Sequence, residues 1–220
     1  MATDKVTNSA RAEVLRRIRV ATGRVASGDS VRAGWGAIER RYRREATRPP
    51  EAVLELLEDR LRDYDARVAR VGLEEVATCA ARMVAERKAG RMVLPAGIPA
   101  EWLPGGVEFV VDSEMATAEL DQVDGVMTGA TLAIAETGTV VLQSVAGQGR
   151  RALTLVPDYH LCVVRVADVV ETVPEAIARL QATAELATTF VSGPSATADI
   201  EMTRIKGVHG PRFLDVILAG

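Results

Sequence analysis

The sequence predicts an α/β fold of the Rossmann-like kind, a mostly parallel sheet preceded by a helical N-terminal arm. Three observations carry this. Short continuous apolar runs, among them RMVLP, LCVVRV and FLDVILA, read as strands buried on both faces. They alternate with helix-spaced stretches, the signature of crossover connections. And at 220 residues the chain is long enough for a substantial core, which must be aliphatic because residues are 48% hydrophobic but only 4% aromatic.

Along the chain, Ser9 is a suitable N-cap for a first helix carrying AEVLRRIRV, with Val14, Leu15 and Ile18 on one stripe. Residues 22–50 read as loop, rich in Gly, Ser and Arg and closed by Pro49 and Pro50. A long helix is expected from Pro50 to Val71, where Val53, Leu54, Leu57, Leu61, Tyr64 and Val68 keep helical spacing and Gly72 stops it. The expected organisation is therefore an arm over 1–71 and an α/β domain over 72–220. In that domain Glu74–Ala89 reads as a helix, RMVLP and VEFVV as strands, and TAELDQV as a short helix. GVMTGATLAIAETGTVVLQS reads as two strands with turns. ALTLVP, LCVVRV, TTFVS and FLDVILA read as further strands, with a helix over Pro174–Thr183 whose proline suits the first turn.

Charge and cysteines narrow the partners. Residues 1–50 hold 12 Lys or Arg against 5 Asp or Glu, and residues 51–220 hold 15 against 25. A basic head of this kind is either a docking arm for an acidic partner or a solvated Arg-rich helix lying on an acidic body. The scarcity of aromatics removes the stacking platform of a single-strand nucleic-acid binder, and no nucleic acid is expected. Cys79 and Cys162 lack CxxC spacing and sit in apolar surroundings, so buried thiols in a reducing compartment are expected, with no metal site. No apolar run reaches transmembrane length and the N-terminus lacks a signal-like stretch, which reads as cytoplasmic with no membrane partner.

Three loops have the composition of a binding site. AETGTVV follows the strand TLAIA, and offers the acid Glu136, the hydroxyls of Thr137 and Thr139, and close backbone approach at Gly138; a hairpin turn would use the same residues. SVAGQGRRA places Arg150 and Arg151 beside glycines, suited to an anion or to a plain surface turn. The third loop runs from Gly193-Pro194-Ser195 to GVHGP. Its Asp199 and Glu201 share a face only if the segment is extended. His209, between Gly207 and Gly210, fits either an acid/base or ligand contact or a hydrogen-bonded structural role. Neither a nucleophile elbow nor a dinucleotide fingerprint is present.

The segments TLAIAETGTVVL, RRALTLVPDYHLCVV and VSGPSATADIEMTRIKGVHGP together resemble the LUD domain family, and within it the lactate utilization protein C branch (LutC, also called YkgG). The resemblance spans most of the chain and is strongest over residues 125–218. It implies a NagB/RpiA/CoA-transferase-like fold and a part in oxidising L-lactate to pyruvate beside two companion proteins. One companion is an iron–sulfur protein with cysteine-rich motifs; this chain has none, so no cofactor is expected in it and the clusters are expected in its partners. The family carries over no assigned catalytic residues. It carries over motif positions: Glu136, Thr137, Gly138 and Thr139; Gly193, Pro194, Ser195, Thr197, Asp199 and Glu201; Gly207, His209 and Gly210. Of these, Glu136, Thr137, Gly138, Thr139, Gly193, Ser195, Thr197, Asp199, Glu201 and His209, with Arg150 added, are expected to hold a small anion, and Glu136 and His209 are the catalytic candidates. Two other readings stay open. One is a stand-alone isomerase or CoA-transferase-like enzyme in which Glu136 is nucleophile or base and Arg150 or Arg151 holds a sugar phosphate or acyl-CoA. The other is a non-catalytic metabolite-binding scaffold.

Overall fold

The computed structural model describes residues 3–23, 28–198, 204–207 and 209–220. The chain divides into two units, Met1–Tyr42 and Arg43–Gly220.

Among the described residues, the first unit contains the helices α1 (Thr3–Thr22) and α2 (Gly28–Gly36). The second of these falls where the sequence reads as loop. On α1, Glu13 is bonded by Arg16 and Arg17 one turn on, at 2.7 and 2.9 Å, while Val14, Leu15 and Ile18 are exposed. After α2, the Arg40 guanidinium lies 4.7 Å over the Trp35 ring.

The second unit opens with α3 (Pro50–Asp63) and β1 (Arg67–Val71). The helix expected to reach Val71 thus stops eight residues early. Asp65 takes a left-handed φ of 64°, which no helix continues through, and RVARV turns into an edge strand whose Val68 pairs with Val216. Then follow α4 (Val76–Arg87), β2 (Arg91–Leu94), β3 (Glu108–Val111), the single turn α5 (Thr117–Leu120) and β4 (Gly125–Gly129). Next come β5 (Leu132–Ile134), β6 (Thr139–Gln143), β7 (Tyr159–Arg165), β8 (Val169–Val170) and α6 (Val173–Leu180). The unit closes with β9 (Thr188–Val191), β10 (Ala196–Ala198), β11 (Arg204–Lys206) and β12 (Phe213–Ala219). GVMTGATLAIAETGTVVLQS therefore makes three strands rather than two. ALTLVP makes none: Arg151–Thr154 is a 3-10 turn that points Leu153 into a buried cluster.

Six strands form a wholly parallel sheet in the order β1-β12-β7-β4-β2-β3. Four more form a mixed sheet in the order β8-β5-β6-β9, and β10 and β11 make a two-stranded ribbon. The large sheet is covered on both faces, which explains its unbroken apolar strands. Leu161, Val163 and Ile217 face α4 beside Val76, Ala80 and Met83. Their neighbours Cys162, Val164, Val216 and Leu218 face the other way, onto Leu57 and Leu61 of α3 and onto Val140 and Leu142 of the small sheet. α6 closes the far side of the small sheet through Ala176 and Leu180. Its start is fixed by a capping box, with Thr172 Oγ1 accepting from the Glu175 backbone N–H.

The sequence predicts a boundary at residue 71, whereas the division falls before Arg43. α3 belongs to the second unit because Leu57 and Leu61 are completely buried in its core.

Candidate functional site

The turn at residues 135–138 joins the antiparallel pair β5 and β6, so AETGTVV is a hairpin. Thr139 Oγ1 lies 2.7 Å from both Thr137 Oγ1 and Ser192 Oγ, which ties this turn to the loop after β9. The glycines of the two loops share one physical reason. Gly138 (φ +56°) leaves no room for a side chain, since a Cβ would come within 2.9 Å of the Arg60 carbonyl carbon. Gly193 (φ +81°) is tighter, with a Cβ 2.4 Å from that of Tyr64. Both therefore seat the carboxyl end of α3.

Glu136 is paired with Arg43, in the segment that precedes α3. The same arginine reaches the fully covered carboxylate of Glu171 at 2.5 Å. Glu171 also accepts from the backbone N–H groups of Thr47 and Arg48, at 2.6 and 3.0 Å, and from the Arg48 guanidinium at 2.6 Å. The Arg48 and Thr47 N–H groups, then Arg43, pull its pKa down to about 2 against the opposing effect of burial. Residues 43–48 thus form a strap over the β5–β6 turn, fastened on one buried acid.

A cleft of about 240 Å³ opens at the amino edge of the large sheet, where β7 and β12 begin. Its wall includes Ser192–Ser195, His209 and Gly210, with Arg151, Thr154, His160, Phe190 and Leu214. Ser195 Oγ accepts the backbone N–H of His209 at 3.0 Å, and Ser195 N donates to the Pro211 carbonyl at 2.8 Å. These bonds lace the GPS and GVHGP stretches together. Because the GVHGP loop leads into β12, this wall lies at the amino edge of the large sheet rather than at its carboxyl ends.

Arg151 is the cation of this cleft. It donates to the carbonyl and hydroxyl of Thr154, at 2.8 and 2.9 Å, and no carboxylate pairs with it among the described residues. Desolvation lowers its pKa, which marks a guanidinium without a compensating anion. Behind it, His160 is buried and shares a 2.8 Å hydrogen bond with Thr128 Oγ1. Burial and then the Arg151 charge bring its pKa down to about 4, so the imidazole is neutral at physiological pH.

The residues expected in the site part company here. Gly193, Ser195 and His209 line the cleft, while Glu136, Thr137, Gly138 and Thr139 touch it only through the Thr139–Ser192 bond. Arg150 faces away, gripping Asp112 with two bonds of 2.8 and 2.9 Å and the Met115 carbonyl at 2.6 Å. Thr197 lies in the ribbon opposite Ile205, and Asp199 and Glu201 lie outside the described residues. The sequence places Arg150 in the ligand set and Arg151 only in the alternative enzyme reading, and it assigns His160 no role, whereas Arg151 is the arginine that lines the cleft. The one available signal was a histidine inside an otherwise apolar strand. Cys79, on α4, and Cys162, on β7, are free and buried in separate core clusters, one against each face of the large sheet.

Among the described residues no helix is long and apolar enough to cross a membrane. A profile of the LUD domain matches residues 54–219. Lactate utilization protein C of Deinococcus radiodurans is 45% identical over 171 residues, covering 76% of this chain and 80% of the relative. Lactate utilization protein C of Shouchella clausii is 35% identical over 105 residues, which span 46% of this chain and 45% of the relative. The crystal structure of a DUF162 family protein from Deinococcus radiodurans superposes with a TM-score of 0.70 at 40% identity, covering 79% of this chain and all of that one. The profile starts inside α3 and ends at the last residue of β12, taking in both sheets and the Arg151 cleft, and on this ground the chain belongs to the LUD domain family.

Proposed function

We propose that this LUD protein serves lactate utilisation as a component without a metal centre of its own, and that the Arg151 cleft binds a small monocarboxylate such as lactate or pyruvate. The relatives named lactate utilization protein C support the process. The observation that carries the ligand is Arg151, a guanidinium on the cleft wall with no carboxylate partner among the described residues. Its planar fork matches a carboxylate, and the Ser192 and Ser195 hydroxyls beside it suit a neighbouring oxygen. Leu214 and Pro211 offer apolar surface to a methyl group. Oxidising lactate to pyruvate releases two electrons and two protons, and in this proposal the electrons pass to iron–sulfur centres of partner proteins.

Binding is favoured over catalysis by this chain alone. Glu136 is held in an ion pair with Arg43 and is not part of the cleft wall. Titration calorimetry tests the ligand. Lactate or pyruvate should bind the wild-type chain saturably, and Arg151→Met should weaken binding about tenfold or more, the worth of one charge-assisted contact. Equal affinity in the variant would remove Arg151 from the site. Affinity capture from cells grown on lactate should recover an iron–sulfur protein; its absence would sink the partnership.

A further inference from the structure

The opposite end of β7 opens into a second cleft, of about 260 Å³, at the carboxyl edge of the large sheet. His160 and Arg165 are five residues apart on one strand, so the two clefts are separated by about 16 Å of sheet. The carboxyl edge is where parallel sheets hold ligands, because loops diverge there and leave a crevice.

This crevice is built and braced. Gly129, at the end of β4, donates its N–H to the Gly147 carbonyl at 2.7 Å, and Gly147 N donates to the Ala96 carbonyl at 2.7 Å. Gly97 has a φ of +93°, and a Cβ there would lie 2.9 Å from that of Ala146, so the β2 loop and the turn after β6 close up tightly. Gln148 is almost buried, and its Oε1 accepts from Thr131 Oγ1 at 2.9 Å and from Gln143 N at 2.7 Å. Those bonds fix the amide and leave its Nε2 as a donor for the cleft it lines. On the facing wall the Arg165 guanidinium stands 5.7 Å from the Trp102 ring and pairs with no carboxylate among the described residues. Asp168, three residues on, lines the same cleft.

We infer that this carboxyl-edge cleft is a second binding site, for a polyhydroxylated carboxylate. The cation takes the acid group, the Gln148 amide donates to one hydroxyl, Asp168 accepts from another, and Trp102 covers the carbon chain. A volume below the roughly 300–1,000 Å³ of drug-sized pockets fits such a small acid. Lactate, with one hydroxyl, engages only part of this set, and the inference does not rest on the Arg151 reading.

The chain has two tryptophans, so Trp35→Phe leaves Trp102 as its fluorescent reporter. Titrating that variant with glycerate, threonate and gluconate should shift Trp102 emission saturably for at least one of them, with acetate and glycerol giving no saturable response. Adding Arg165→Met, an exposed position, should weaken the affinity at least tenfold by calorimetry. Arg151→Met should leave this response unchanged, as Arg165→Met should leave lactate binding unchanged, so the two sites succeed or fail separately. No saturable response to any of the three acids, an equal response to acetate or glycerol, or an affinity indifferent to Arg165→Met would overturn the inference.

Discussion

His160 makes the residue scale measurable. Its pKa falls from 6.5 in the unfolded chain to about 4 in the folded one. Between those values the unfolded chain binds a proton that the folded one refuses, so stability contributed here is complete above pH 6.5 and is lost as pH falls toward 4. From pH 7 to pH 5 the loss is about 2 kcal/mol. Urea unfolding of wild type and His160→Gln at both pH values isolates it: the stability of wild type relative to the variant should fall by that amount at pH 5. A pH-independent difference would mean the buried ring accepts a proton. Glu171 titrates in a separate window, since its lowered pKa contributes stability present above pH 4.5 and lost toward pH 2. Thr128→Val should cost about 1–3 kcal/mol, because it leaves the buried imidazole nitrogen without its partner. At this scale the sequence is hardest to read. Arg150 and Arg151 are neighbours of the same type, and what separates them is Asp112, 38 positions away, which claims one and leaves the other to the cleft. No local pattern encodes that choice.

At the scale of elements, α3 and its seat explain the motif glycines. Gly193 and Gly138 look like residues that let a ligand approach, yet each meets the helix end instead. Gly193→Ala should destabilise the fold by more than the roughly 1 kcal/mol that a left-handed φ costs an alanine. Gly106→Ala is the control, since Gly106 has the same φ of +81° but meets nothing within 4 Å. Thermal melts of the two variants should differ by several degrees, and equal melting would mean Tyr64 yields without strain. The elements themselves were legible wherever burial is two-sided. β7 and β12 are apolar throughout because both faces are covered, and a Pro at the second position and a capping box mark α6. Legibility failed where two periods fit one stretch. Val68 continues the stripe of Leu57 and Leu61 at helical spacing, but it also alternates in RVARV, and pairing with β12 decides for the strand. ALTLVP looks like a strand only until Leu153 is packed into its cluster as part of a 3-10 turn.

For the whole molecule, the α/β class follows from composition and rhythm, but the unit boundary does not. Helical spacing predicts an arm that runs to residue 71, whereas the division falls before Arg43. The core settles the matter, because every buried hydrophobic residue described lies at Val53 or beyond. A chain of residues 43–220 should therefore fold cooperatively and melt within a few degrees of full length. A chain of residues 72–220 should not. It lacks Leu54, Leu57 and Leu61, each worth about 1.5–3 kcal/mol when buried, against a total stability of about 5–15 kcal/mol for a domain. It also bares β12 by removing β1, and strips Glu171 of every donor the strap supplies, leaving a covered carboxylate uncompensated. Circular dichroism melts of the two truncated chains decide between the boundaries. A cooperative transition for residues 72–220 near the full-length temperature would make α3 an appendage and the strap dispensable, whereas loss of that transition, with residues 43–220 intact, makes residues 43–71 the first layer of the LUD core.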